Sequence, residues 1–317
     1  MDLTYREVEV RDFDACGVLL QDREHYSGEA LAALPEIWGQ WLGSGALNAA
    51  VMELREGSAE PEIIQFGMSV FVTNQFLVEA RTAGTPHLGV RLISRVLAGR
   101  SPVLDLAAIR AANSGDGLNL FVSHSGFLRR DWTPEQSLLI AGRAPESFFW
   151  LHQGYNFREM LLEYYDVMLV QLCLAAGFRL REGSGDSSPQ IVGITREEAA
   201  TNPGTYVSKL FHSPAPRFFF SYGEQKVLLQ ALLGRNDEEI AALLDVALST
   251  VKKRWVAIYD CVNDQLPEML PEMPPEAIPP SRLSLQKRGQ EKRRHLLAYL
   301  RQHPEELRPS VPRNGLK

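Results

Sequence analysis

Three consecutive cationic residues, Lys252, Lys253 and Arg254, are the part of this sequence that most directly indicates chemistry. They lie near the beginning of a predicted helix, on positions that its apolar stripe leaves facing outward together with Val256. Cationic side chains on an exposed helix contact phosphates and base edges of DNA, and a valine contacts a thymine methyl group. The pattern therefore predicts a helix that reads the major groove of double-stranded DNA.

Two further helices are predicted to hold this one in place. The apolar spacing predicts helices over residues 222–233, 237–244 and 248–262, and Asn236 with Glu239 approximates a capping box before the second. The apolar stripe of the third helix comprises Val251, Trp255, Ile258 and Val262. Two short helices, a tight turn and a third helix form a helix-turn-helix unit.

The segment from residue 220 to 265 resembles the LuxR-type (GerE-type) helix-turn-helix family. The matching residues are Phe220, Ser221, Glu224, Val227, Leu228, Gly234, Glu239, Ile240, Ala241, Leu244, Thr250, Val251, Lys252 and Ile258. The resemblance implies a DNA-binding bundle, a homodimer, and a DNA-contacting set. That set comprises Thr250, Lys252, Lys253, Arg254 and Val256.

The segment departs from the family pattern at three positions. Asp245 replaces the usual Gly of the turn, Ala247 replaces an N-cap Ser, and Arg254 replaces a His. Asp tolerates a positive φ better than most residues, whereas loss of the cap costs about 0.5–2 kcal/mol. The family has a fourth helix after the third. Here either a tail helix around Leu285–Leu300 replaces that fourth helix, or the mode of dimerisation differs.

Charge is distributed unevenly along the 317 residues, whose net charge is −6. That total excludes a uniformly basic nucleic-acid coat. Residues 1–219 carry a net charge of −8, residues 220–265 carry −2, and the tail 281–317 carries +7. The negative charge of the second segment favours an alternative, a protein-interaction module that no longer binds DNA, because cations supply most non-specific DNA affinity.

A linker and a basic tail are predicted after the third helix. Residues 266–280 contain six prolines, which prevent a regular helix and indicate a semi-rigid linker. The tail, 281–317, has a helical apolar stripe. Its members are Leu285, Leu296, Leu297 and Leu300.

The N-terminal residues 1–210 alternate strand and helix signals, which predicts a mixed α/β domain. A hairpin is predicted over residues 46–72, a helix over 87–97, a strand over 117–122 and a mostly helical region over 148–178. This order, with a late helix that ends in Gly177-Phe178, resembles the GNAT acetyltransferase fold. The resemblance implies a turn whose backbone N–H groups bind a cofactor pyrophosphate, and the matching stretch is Thr82–Gly89.

Aromatic residues near the middle of the chain form a candidate ligand pocket. Trp150, His152, Tyr155 and Tyr164 could line such a pocket, although an ordinary aromatic core explains the same pattern. Ser123-His124-Ser125-Gly126 lacks the glycine that a nucleophile elbow requires before its Ser. No catalytic residue, metal site or cofactor is therefore predicted, and the three scattered cysteines indicate free thiols.

These observations predict an α+β protein: a mixed α/β N-terminal domain similar to GNAT enzymes, then an all-α helix-turn-helix domain at residues 215–265. The leading hypothesis is a transcriptional regulator that binds double-stranded DNA as a homodimer, its N-terminal domain sensing a small-molecule effector or a partner. A GNAT-like acetyltransferase with an appended helix-turn-helix is the alternative. The N-terminus lacks a signal peptide and no run of 18 apolar residues occurs, which predicts a cytoplasmic protein with no membrane partner.

Overall fold

The computed structural model describes residues 2–82, 86–181, 189–270 and 282–311. The chain divides into two units, Met1–His212 and Ser213–Lys317. Each unit has its own hydrophobic core, so each is described by itself.

The N-terminal unit is built on a mixed seven-stranded sheet with strand order β1-β2-β3-β4-β5-β7-β6. Its strands are β1 Asp2–Glu7, β2 Leu47–Arg55, β3 Glu62–Phe71, β4 Leu118–Phe127, β5 Phe157–Tyr164, β6 Arg179–Leu180 and β7 Gln190–Thr195. Only β4 and β5 run parallel, and every other neighbouring pair is antiparallel. The predicted hairpin is present as β2 and β3, and the mixed α/β character of this unit is confirmed.

Eight α-helices accompany the described strands of this unit. They are α1 Phe13–Leu19, α2 Gly28–Ser44, α3 Asn74–Thr82, α4 Leu88–Leu97, α5 Leu106–Ser114, α6 Pro134–His152, α7 Val167–Ala176 and α8 Arg196–Thr201. Trp38 of α2 packs against Phe66, whereas α6 packs near Met52. Phe66 pairs with Val51, and successive strand residues face opposite sides, so α2 and α6 cover opposite faces of the sheet.

The prediction of a mostly helical region over 148–178 is wrong in its centre, where β5 lies between α6 and α7. The sequence of β5, Phe157-Arg-Glu-Met-Leu-Leu-Glu-Tyr164, is rich in residues that favour helices. It shows no alternation because a central strand is covered on both faces. Its neighbours in the sheet, rather than its own propensity, make this segment a strand.

A gap opens between β4 and β5 towards their carboxyl ends. The two strands pair only from Leu118 to Val122 on β4 and from Phe157 to Leu162 on β5. The pairing of β3 with β4 shifts register so that Ser123 is an extra residue on β4. Such a bulge bends its strand, which explains why β4 leaves β5 beyond this point.

The second unit is helical in the residues described. Its helices are α9 Tyr222–Leu232, α10 Asp237–Leu243, α11 Leu248–Gln265 and α12 Arg282–Leu300. The three predicted helices are present, and capping boxes at Ser221/Glu224 and Asn236/Glu239 begin the first two. Asp245 adopts a φ of +50°, as the turn requires, and Ala247 caps α11 without a side-chain hydrogen bond.

The helical unit extends into the segment that was predicted to be a linker, residues 266–280. Pro267–Met269 form a 3-10 helix, and Leu270 after it is buried in the core of the unit, so the linker prediction begins too early. Residues 271–281 of the predicted linker lie outside the described residues. Beyond them, α12 returns Leu296, Leu297 and Leu300 to the same core. The tail helix therefore completes a four-helix unit.

Candidate functional site

An apolar cavity of about 160 Å³ lies between α6 and α7, above the part of the sheet where β4 and β5 separate. Its wall includes Phe66, Met68, Phe148, Leu151, Leu162 and Leu172. Leu172 is 40% exposed, so the wall reaches the surface along α7. A concave apolar surface with few polar groups is the usual form of a small-molecule site.

Two buried polar side chains interrupt this apolar wall. The Oγ of Ser69 on β3 lies 2.7 Å from the Nε2 of His152, the last residue of α6. The other ring nitrogen, Nδ1, lies 2.7 Å from the carbonyl oxygen of Phe148. A carbonyl only accepts, so Nδ1 carries a proton, and a ring with one proton then accepts from the Ser69 hydroxyl at Nε2. That hydroxyl has a single proton, and the carbonyl oxygen of Asn48, 3.3 Å from Oγ, is its other acceptor.

Asn48 stands directly opposite Ser69 in the β2–β3 pairing, so both side chains project from the same face of the sheet. The hydroxyl of Tyr155 donates to the Oδ1 of Asn48 over 3.0 Å, which fixes the orientation of the amide. The Nδ2 of Asn48 is buried and has no hydrogen-bond partner among the described residues. A buried donor without a partner costs free energy.

The four residues predicted to line an aromatic pocket lie in different places. His152 and Tyr164 line the cavity. Trp150 instead packs against Tyr5, and the ring of Tyr155 packs against Phe71. No motif in the sequence marks Ser69, which lies on a strand and contacts His152 only in the folded chain.

The opposite face of the sheet carries a cluster of titratable side chains at the same gap. Asp22 and Tyr26 meet Ser123, His124, Glu163 and Tyr165 there. Burial raises the pKa of Asp22 to about 6 and that of Glu163 to about 7, and it lowers the pKa of His124 to about 3. Strongly shifted pKa values at the ends of parallel strands mark a candidate site, but structural networks also produce them.

Glu163 has a structural task within this cluster. Its carboxylate accepts the backbone N–H groups of His87, over 2.7 Å, and of Leu88, over 2.6 Å. It thereby occupies the N-terminus of α4, which enters the gap between the two strands. Gly89 is required for this approach, because a Cβ atom there would lie 2.7 Å from the carbonyl oxygen of Ser123.

The predicted pyrophosphate turn, Thr82–Gly89, is therefore not available for an anion in the part described. Residues 83–85 lie outside the described residues, and the N–H groups of His87 and Leu88 already serve Glu163. The resemblance placed the turn there because two glycines are visible in the sequence and the contact with Glu163 is not.

α6, the helix that follows β4, offers no better anion site. α6 begins with Pro134, which has no backbone N–H, and the N–H of Gln136 donates to the Thr133 hydroxyl. Arg130 nearby is paired with Glu56 and Glu62. At each of these two helices, two of the first backbone positions are thus unavailable to the pyrophosphate of coenzyme A.

The helix predicted to read DNA, α11, exposes only some of the residues that were predicted to contact DNA. Lys252 and Lys253 are exposed, and Val256 is 59% exposed on the next turn. Thr250 is half-buried. Arg254 turns away, since its guanidinium lies 3.0 Å from where Gly223 of α9 would carry a Cβ atom. The predicted cluster of three cations is thus reduced to two on the exposed face.

α12 supports α11 through one arginine. The Nη1 of Arg293 donates to Asp237 over 2.8 Å, and its guanidinium lies 4.6 Å above the ring of Trp255. The indole N–H of Trp255 donates to the same carboxylate over 3.1 Å. These contacts connect α12 to the beginning of α10 and the middle of α11.

Two further features of the described residues bear on the class of site. No group of three or more His, Cys, Asp or Glu side chains in that part of the chain is arranged to hold a metal ion. No helix there is long and apolar enough to cross a membrane.

No protein-family model matches the chain, and no curated protein matches it. Solved structures that are similar include the C-terminal condensation domain of Ebony in complex with beta-alanyl-dopamine, with 10% identity and a TM-score of 0.38 over 62% of this chain and 99% of that one. FdhC, a nucleotide-linked sugar GNAT, has 10% identity and a TM-score of 0.35 over 66% and 94%. A spermidine N-acetyltransferase SpeG variant from Vibrio cholerae has 13% identity and a TM-score of 0.34 over 61% and 93%. Several structural neighbours are thus GNAT N-acetyltransferases, in line with the resemblance of the N-terminal domain, but scores this low assign neither a family nor an activity.

Proposed function

We propose that the N-terminal unit is an acyltransferase-like protein that binds an acyl chain, carried as a thioester or an ester, in the cavity between α6 and α7. The observation that carries this proposal is the cavity itself, an apolar space of about 160 Å³ beside the separated ends of β4 and β5. Its apolar wall suits methylene groups, each of which gains about 0.8 kcal/mol on burial. The Ser69–His152 pair supplies a polar end for a carbonyl group.

The group that carries the acyl chain is inferred from the backbone N–H groups at the beginnings of α4 and α6. A GNAT resemblance implies coenzyme A, whose pyrophosphate would need free backbone N–H groups. Glu163 occupies those at α4, while Pro134 and Thr133 leave little at α6. We therefore expect a pantetheine thioester or a simple ester to bind as well as the coenzyme A thioester.

Calorimetric titration with acetyl-, butyryl-, hexanoyl- and octanoyl-pantetheine tests this proposal. Affinity should rise roughly fourfold for each added methylene until the cavity is full. The octanoyl thioester of coenzyme A should bind no more tightly than octanoyl-pantetheine. Absence of binding heat at every chain length, or an affinity that does not change with chain length, would contradict acyl binding. A coenzyme A thioester that binds at least tenfold more tightly would contradict the inference about the carrier.

A second candidate function, DNA binding by the C-terminal unit, is favoured by the exposed beginning of α11. Lys252, Lys253 and Val256 face outward there, while Val251 and Trp255 hold the other side of the helix in the core. An acyl ligand in the N-terminal unit would then be the predicted small-molecule effector of a regulator. Selection of bound sequences from random duplexes tests this candidate. A palindromic site would support a homodimer, and a lack of enrichment would contradict DNA binding.

A further inference from the structure

Ser69 and His152 have the geometry of a nucleophile and its general base. The Oγ to Nε2 distance of 2.7 Å lies within hydrogen-bond reach, and the Nδ1 proton donates to the carbonyl oxygen of Phe148 over 2.7 Å. The carbonyl fixes the tautomer of the ring, as a carboxylate does in other Ser–His sites, so that Nε2 accepts from the Ser69 hydroxyl.

The pair is placed where an acyl group could reach it. Both residues are 2% exposed, and both line the cavity between α6 and α7. Bulk water is therefore largely excluded from the Ser69 hydroxyl, while a ligand in the cavity would contact it. Apolar surroundings strengthen hydrogen bonds and charge interactions with a developing oxyanion.

Asn48 supplies the third component. It pairs directly with Ser69 across β2 and β3, where opposite Cβ atoms lie about 4.5–5.5 Å apart. The Tyr155 hydroxyl engages Oδ1, so the buried Nδ2 of Asn48 keeps a donor without a partner among the described residues. An amide donor without a partner, on the residue paired with Ser69, can donate to an oxyanion that forms at Ser69.

We propose that Ser69, His152 and Asn48 form an acyl-transfer site that makes an acyl-serine intermediate from an ester or thioester bound in the cavity. The proposal rests on the proposed acyl binding of the N-terminal unit and adds covalent chemistry to it.

The steps balance with water as the only co-reactant. Ser69 Oγ bonds to the carbonyl carbon as its proton passes to Nε2 of His152, and the Asn48 amide donates to the resulting oxyanion. The bond from that carbon to the alcohol oxygen or thiol sulfur then breaks, and the leaving group takes the proton from Nε2. Water, deprotonated by the same nitrogen, releases the carboxylic acid and restores the Ser69 hydroxyl.

Labelling of the full chain with a small alkyl fluorophosphonate tests the site. Mass spectrometry should find the phosphonyl group on the peptide that contains Ser69, and Ser69→Ala should abolish that adduct. His152→Gln should slow labelling at least about a hundredfold, the usual contribution of a general base. Asn48→Asp, which removes the amide donor, should slow it by a similar factor. Ser137→Ala removes an exposed hydroxyl from α6 outside the cavity wall and serves as the matched control, with an unchanged rate.

A wild-type Ser69 that stays unmodified, at a reagent concentration that saturates a known serine hydrolase, would overturn the proposal. Equal labelling rates in the wild type and His152→Gln would overturn it as well. Titration of Ser69→Ala with octanoyl-pantetheine separates the two proposals. If octanoyl-pantetheine binds but Ser69 is never labelled, the acyl-binding function stands and the acyl-transfer site falls.

Discussion

Glu163 at the end of β5 accepts the backbone N–H of Leu88 over 2.6 Å and so joins the sheet to the beginning of α4. The carboxylate neutralises the positive end of that helix from a neighbouring strand, as a capping residue would from within the chain. The contact explains why a stretch that resembles a phosphate-binding turn holds a side chain of the protein itself.

The pH dependence of stability provides a test of the burial of this carboxyl group. Burial raises the pKa of Glu163 to about 7, above the value near 4.3 of an unfolded chain. Between these values the folded state keeps a proton that the unfolded state loses, so the stability contributed is present below about pH 4 and declines as the pH rises towards 7. Glu163→Gln should flatten this decline by roughly 3 kcal/mol at most between pH 4.5 and 7.5.

Chemical unfolding monitored at several pH values would measure this difference. Glu60→Gln removes a carboxyl group from an exposed turn and is the matched control. Parallel pH profiles for Glu163→Gln and the wild type would show that the carboxyl group does not titrate in this range.

Filling the cavity should prevent acyl binding. Ala141 on α6 lines the cavity and is half-buried, so Ala141→Phe would place a ring in the ligand space at modest cost to folding. We expect the affinity for octanoyl-pantetheine to fall at least tenfold in calorimetric titration. Gly142→Phe adds the same ring at the next, exposed position and should bind like the wild type. Equal affinities of the two variants would place the ligand elsewhere.

Removing the exposed cations of α11 should weaken DNA binding. Lys252→Ala combined with Lys253→Ala removes two contacts to phosphates or bases, so the slope of log affinity against log salt should fall by about 2 in magnitude. The measurement is fluorescence anisotropy with a selected duplex at several salt concentrations. Lys209→Ala removes a lysine from the N-terminal unit and is the control. An unchanged slope in the double variant would show that α11 does not contact DNA.

Loss of Arg293 should loosen α12. Arg293→Ala removes the ion pair with Asp237, a hydrogen bond to the Arg235 carbonyl and the contact over the Trp255 ring. We expect a loss of about 1–3 kcal/mol in the free energy of unfolding of the C-terminal unit and faster proteolysis within α12. Arg294→Ala changes the adjacent, exposed arginine and should do neither. If both variants lost the same stability, the Arg293 contacts would not hold the helix.

The helical unit was predictable because its signals are local. Ser221 with Glu224, and Asn236 with Glu239, form capping boxes within three residues, and the stripe from Val251 to Val262 repeats at the period of a helix. The positive φ at Asp245 also follows from its place in the turn. The sequence does not predict that the tail helix packs into this core, because its partners lie far away in the chain.

The sequence by itself determined these helices, the β2–β3 hairpin and the late helix that ends at Gly177, since caps, turns and apolar periods act over a few residues. Only the tertiary structure decided that residues 157–164 form a central strand, because pairing on both sides overrides local preference. It also decided the candidate site. Ser69 and His152 are 83 residues apart, and Glu163 and Leu88 are 75 apart, so packing of the sheet against its helices is what brings each pair together.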